Sequence, residues 1–166
     1  IAIVALIVIL LIAVIQQRNP FNAIIVTFPV ISGLMITVSV MIFFDLKLGL
    51  FNIVMLPVIL GIGIDGSIYL LQRYQRLGRG AALEAVRAVI GPVFMSSLTT
   101  LVGFGGMVMS QHMGLNSMGL LAILGISCCF ATTFVIQPGL ILIAEKLKLP
   151  GCVPEYDFKP ENLNKD

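Results

Sequence analysis

The chain has 166 residues, 58% apolar and only 11% charged, with a net charge of +2 and a mean hydropathy of +1.08. Soluble globular domains are about half apolar and about a quarter charged, so the bilayer is the fitting solvent for this composition. Disorder is excluded outside the C-terminal tail, and ten Lys and Arg residues make no basic face for nucleic acid.

A spanning helix needs about 20 mostly apolar residues. Five runs come near or exceed that length, over 1–15, 21–44, 50–71, 92–109 and 115–144. They predict an all-α, polytopic membrane helix bundle of five transmembrane helices. The first run begins at Ile1 with no hydrophilic lead, which reads as a fragment of a longer polypeptide. It has neither the basic lead nor the small-residue cleavage site of a signal peptide. The fifth run is long enough to tilt or to emerge into water.

The predicted connections 16–20, 45–49 and 111–114 are short. Only 72–91 is longer, and its part 81–90, AALEAVRAVI, sets Glu84 and Arg87 among Ala and Val. That pattern suits a short amphipathic helix on the membrane surface. The tail, 149–166, carries Pro150, Pro154 and Pro160 among mixed charges and reads as a polar, disordered end.

Lys and Arg in the loops set orientation. Arg18, Arg73, Arg76, Arg79, Arg87, Lys146 and Lys148 fall on one side and Lys47 on the other. The basic side is therefore expected in the cytoplasm of a cell inner (plasma) membrane, with the N-terminus of the fragment outside and the tail inside. The arginines could also hold lipid headgroups, although topology alone explains them.

The three cysteines, Cys128, Cys129 and Cys152, are odd in number and form no CxxC. A disulfide framework or zinc site is not expected, and Cys128 and Cys129 read as small hydrophobes in an apolar run. No His, Cys and Asp grouping has metal-ligand spacing. The expected metal and cofactor content is none, and the chain is not expected to be an enzyme.

Seven of the eight acidic residues lie in loops, in the surface segment, or at or beyond the last span. Asp65 lies inside the third span, about 12 Å along the helix from Arg73. A charged Asp at the bilayer centre costs at least about 2.5–3.5 kcal/mol, so it needs compensation or a purpose. A carboxyl there can sit neutral and exchange a proton, which is the chemistry of a relay. The plainer alternative is a protonated Asp that only hydrogen-bonds a neighbouring helix.

Gly61, Asp65 and Tyr69 are spaced by four and share a helix face. Gly61 is expected to admit a close neighbouring helix, and Gly63 and Gly66 to make the span deformable. Pro57 removes a backbone hydrogen bond and can kink it. Tyr69 can donate to a carboxylate or anchor at the interface. Residues 61–66 match GxGxxG, but the dinucleotide reading requires a preceding strand in a soluble βαβ unit.

The fourth span holds Ser96, Ser97, Thr99 and Thr100, then Gly103, Gly105 and Gly106. Ser96, Thr100 and Gly103 share a face that could meet Asp65 and pass protons to it. The alternative is that the hydroxyls serve packing or bond their own backbone. His112 could sense pH from the outer loop or be an ordinary polar residue there. Thr132, Thr133 and Gln137 could line a cavity, with no indication of the way they face.

The stretch FNIVMLPVILGIGIDGSIYLLQRYQR, followed by SSLTTLVGFGGMVMSQHMGLNSMGLLAILGI, resembles the C-terminal membrane half of RND-superfamily exporters, nearest to the MMPL-type branch with its hopanoid and other lipid exporters. The resemblance covers about 21–144, and the GIGID, RYQR, SSLTT and GFG pieces are specific in combination. It implies twelve spans in two similar halves, each half with a large extracytoplasmic domain. It places Asp65 on the family's proton-carrying acidic position and Thr99 and Thr100 near its polar relay. Many members have an aromatic residue directly after that Asp; here Gly66 follows, with Tyr69 one turn on.

The resemblance implies a proton-motive-force-driven exporter of lipid or hydrophobic substrates, with protons as the coupling ion. The expected partners are the lipid bilayer, the missing N-terminal half and the extracytoplasmic domains, and a homo-oligomer is compatible with the sequence. Two other classes stay open: a protein-export accessory like SecD/SecF, and a sterol-sensing-type lipid sensor or receptor.

Overall fold

The computed structural model describes residues 8, 11, 20–43 and 50–146. Val8 and Leu11 are helical, and the rest of the predicted first span lies outside the described residues. So do most or all of the connections 16–20 and 45–49, with Arg18 and Lys47, and the tail with Lys148.

Four helices follow among the described residues: α1 (Pro20–Phe43), α2 (Leu50–Leu77), α3 (Ala82–Val108) and α4 (Met113–Lys146). Each is long and apolar enough to cross a membrane, and the chain is a multi-pass membrane protein. Helices are what the apolar runs dictate, because in hydrocarbon every backbone N–H and C=O must be satisfied within the segment. Each helix also carries one internal proline: Pro29, Pro57, Pro92 and Pro138.

The region between the third and fourth predicted spans departs from expectation. Residues 72–77 continue α2, so Arg73 and Arg76 are helical and not in a loop. Residues 82–90 are not a separate surface helix but the first turns of α3, which runs on through Gly91 and Pro92. The small residues explain this. Ala82, Ala85 and Val89 recur at helical spacing and are buried in the bundle, so packing holds the segment in line with the span. The true connection is the turn between Leu77 and Ala82. Gly78 and Gly80 adopt φ of 103° and 79° there, a left-handed conformation that suits glycine.

α4 is the central helix and packs on all three others, whereas α1 and α3 do not touch. Small residues permit the close contacts. A Cβ at Gly33 of α1 would lie 2.9 Å from Cys129 Cα of α4, and one at Gly125 of α4 would lie 2.6 Å from Ile59 Cδ1 of α2. The expected close approach at Gly61 is not observed. Among the described residues nothing lies within 4 Å of a Cβ built at Gly61 or Gly103, while at Gly63 the nearest atom, Val30 Cγ1, would lie at 2.9 Å. Gly63 faces the bundle interior and Gly61 the open side.

One end of the bundle is tied by Glu145, near the C-terminus of α4. Its carboxylate accepts the Gly80 N–H at 2.8 Å and the Tyr74 hydroxyl at 3.5 Å. Arg73, Arg76, Arg79, Arg87 and Lys146 gather at this same end, where α2 and α4 finish and α3 begins.

Candidate functional site: a polar groove between α2 and α3

α2 and α3 touch less than any other contacting pair of helices. Beyond their tight turn they leave a groove of about 410 Å³ lined from α2 by Ile62, Asp65, Gly66 and Tyr69, and from α3 by Pro92, Val93, Ser96, Ser97 and Thr100. Asp65 is exposed along it, as is Tyr69 at 49%. A second concavity of about 290 Å³, lined by Tyr69, Gln72, Arg73 and Arg76, continues toward the basic end.

The structure thus brings Asp65, Tyr69, Ser96 and Thr100 to one groove, with Ser97 added. Gly66 forms part of the wall, where a Cβ would meet Val93 Cγ1 at 3.4 Å. Thr99 is not on the wall; its exposed hydroxyl donates to its own helix at Met95 O, 2.9 Å away. Gly61, Gly63 and Gly103 do not line the groove either. Thr100 also donates to its own helix, at Ser96 O, 3.0 Å. Its proton is therefore committed, while its oxygen can still accept. Among the described residues no hydrogen bond or ion pair reaches Asp65, so the carboxyl lines the groove without a partner from Tyr69 or the α3 hydroxyls.

The opposite side of α2 is also polar. Ser67 and Thr133 hydroxyls lie 3.1 Å apart, and Gln137 Nε2 donates to Ser67 O at 2.7 Å. All three residues are buried, Ser67 and Gln137 completely. Thr132 stands apart from this cluster: its hydroxyl bonds Cys128 O and Cys129 O, and its Oγ1 would lie 2.7 Å from a Cβ at Gly33. Ser67 was not singled out in the sequence. Its only signal was a second polar residue two positions from Asp65, on the other face. His112 sits in the α3–α4 turn, where its backbone N–H donates to Ser110 Oγ and its carbonyl accepts from Asn116. Among the described residues no three His, Cys, Asp or Glu side chains come together.

This arrangement, a lone carboxyl on one span facing hydroxyls on the next, lies in a chain that matches the MMPL family over residues 1–155. The chain belongs to the MMPL family. Its relatives include MJ1562 of Methanocaldococcus jannaschii, which is named only as a membrane protein; it is 32% identical over 153 residues, covering 89% of this chain and 39% of that protein. The hopanoid transporter HpnN of Rhodopseudomonas palustris is 35% identical over 106 residues, 64% of this chain and 12% of HpnN. HpnN of Burkholderia multivorans is 31% identical over 111 residues, 67% of this chain and 12% of that protein. This MMPL chain therefore spans less than half the length of each of these relatives. No solved structure gives a significant match.

Proposed function

We propose that this chain is the membrane part of a proton-driven MMPL-type exporter, a transporter and not an enzyme, with Asp65 as its coupling carboxylate. The observation that carries this reading is the placement of Asp65. An acidic side chain in an apolar span opens onto a groove walled by Ser96, Ser97 and Thr100 of the neighbouring helix. Facing bare hydrocarbon it would be costly, so the groove requires water or further protein. The α3 hydroxyls can then relay protons to and from it.

In this mechanism Asp65 takes a proton from the outer side and loses its charge. α2 and α3, the most weakly packed pair, then shift relative to each other. Release at the basic, cytoplasmic end of the inner membrane resets them. One proton crossing 100 mV supplies about 2.3 kcal/mol, enough to bias two packings by roughly fifty-fold. The extracytoplasmic parts of the full-length protein select and conduct the substrate. The names of the HpnN relatives favour a hopanoid-like lipid or another hydrophobic molecule as cargo.

The test is proton uptake coupled to transport in vesicles carrying the full-length parent, native against Asp65→Asn. Loss of both activities at normal membrane levels supports the reading. Unchanged flux and transport reduce Asp65 to a structural hydrogen-bonder.

A further inference from the structure

Behind the groove, where α2, α3 and α4 meet, lies a separate cavity of about 20 Å³. A single water needs roughly 10–15 Å³ of such volume and two to four polar partners, so this partly open space has room for one water. Phe130 and Phe134 of α4 form part of its wall, 4.7 Å apart, with Phe94 of α3 5.8 Å from Phe130. Its polar lining is Ser97, Thr133 and Cys129. Ser97, Gly66 and Val93 also line the groove, so the two spaces share a wall.

The hydroxyl protons decide what the cavity is for. Ser67 and Thr133 share one hydrogen bond, which uses one of their two protons. Among the described residues no further partner takes the second, and none takes the proton of Ser97. Gln137 Oε1 is buried and likewise accepts no hydrogen bond among the described residues. An unplaced polar group in an apolar interior costs about 1–3 kcal/mol. A water between Ser97 and Thr133 would accept these protons.

We propose that this cavity is a hydration site for one water molecule, which joins the Asp65 groove through Ser97 to the buried Ser67–Thr133–Gln137 cluster on the far side of α2. Gly66 is the throat between the two spaces, because of the two α2 residues that line both, Ile62 and Gly66, it alone has no side chain. The water links α3 to the α2–α4 pair by a bond that breaks and re-forms without disturbing their packing. Its role in coupling rests on the proton-driven reading above. Its existence does not.

Cys129 is a built-in reporter, since the residue lines the cavity and, among the described residues, its thiol makes only one long contact, donating to Val30 O of α1 at 3.9 Å. The full chain in lipid vesicles, with Cys128→Ala and Cys152→Ala, is moved into D2O and the remaining S–H stretch is followed by infrared spectroscopy. Exchange to S–D is expected, and Gly66→Ala or Thr133→Val should each slow it by about tenfold or more, the loss of one hydrogen bond's worth of hydration. The Cβ of Gly66→Ala meets Val93 at an ordinary contact distance, and Thr133→Val keeps the shape, so circular dichroism should show the helices intact in both. An S–H band that persists for hours in the parent overturns the proposal, and so does equal exchange in all three proteins. Transport is not read, so a negative result at Asp65 leaves this outcome independent.

Discussion

The two sides of α2 carry similar polar chemistry in opposite settings. On the α4 side, Ser67, Thr133 and Gln137 are buried and bonded across the interface. On the α3 side, Asp65 faces Ser96, Ser97 and Thr100 across an open groove, and the Thr100 hydroxyl is turned back to its own helix. The cause is helix proximity. α4 brings Gly125 against Ile59, while α3 touches α2 least of the contacting pairs and has no buried residue beyond Val89. Hydroxyls therefore cement the first interface, and in the second they remain available to a proton or to water.

The largest expected effect is at the groove. Asp65→Asn should abolish proton-coupled transport by the full-length parent while leaving insertion normal, read as substrate efflux at matched membrane levels. If efflux survives, the contrast between a working side and a packing side of α2 is broken.

Next is the packed side. Gly33→Ala places a Cβ 2.9 Å from the Cys129 Cα, backbone that cannot rotate away. A loss of about 1–3 kcal/mol is expected from overpacking, measured as a fall in the unfolding midpoint in detergent. Thr133→Val should cost less, about 0.6 kcal/mol and at most about 1.7, the average and maximum for interhelical hydrogen bonds in membranes. Its unfolding midpoint, set beside that of Gln137→Leu, tells how much of the cluster acts as a unit.

The smallest effect has the opposite sign. Among the described residues nothing lies within 4 Å of a Cβ at Gly61, so Gly61→Ala should be neutral or stabilising by up to about 1 kcal/mol, the helix-propensity difference. A clear destabilisation there would mean that another helix does pack on the open side in the tested assembly.

Much of this was legible in the residues. The apolar runs located α1, α2 and α4 to within a few residues, apart from the C-terminal extension of α2. The spacing of Asp65 and Tyr69, and of Ser96 and Thr100, correctly put each pair on one helix face, and the structure brings the two faces to one groove. The continuity of α3 through Gly91 and Pro92 was missed, because a local breaker signal was overridden by the packing of Ala82, Ala85 and Val89. Among the described residues no helix meets Gly61: spacing places a residue on a face but does not say what that face meets.

Composition, span length and the isolation of Asp65 by themselves determined a multi-pass helical protein with one anomalous carboxyl, since the cost of polar groups in hydrocarbon acts on each segment separately. Only the tertiary structure decided which helix is central, which glycines carry close contacts, and that Ser67, Thr133 and Gln137 meet behind Asp65. Those outcomes depend on the rotation and separation of whole helices. That is a collective result of side-chain packing between residues up to 99 positions apart, and no single run of the chain encodes it.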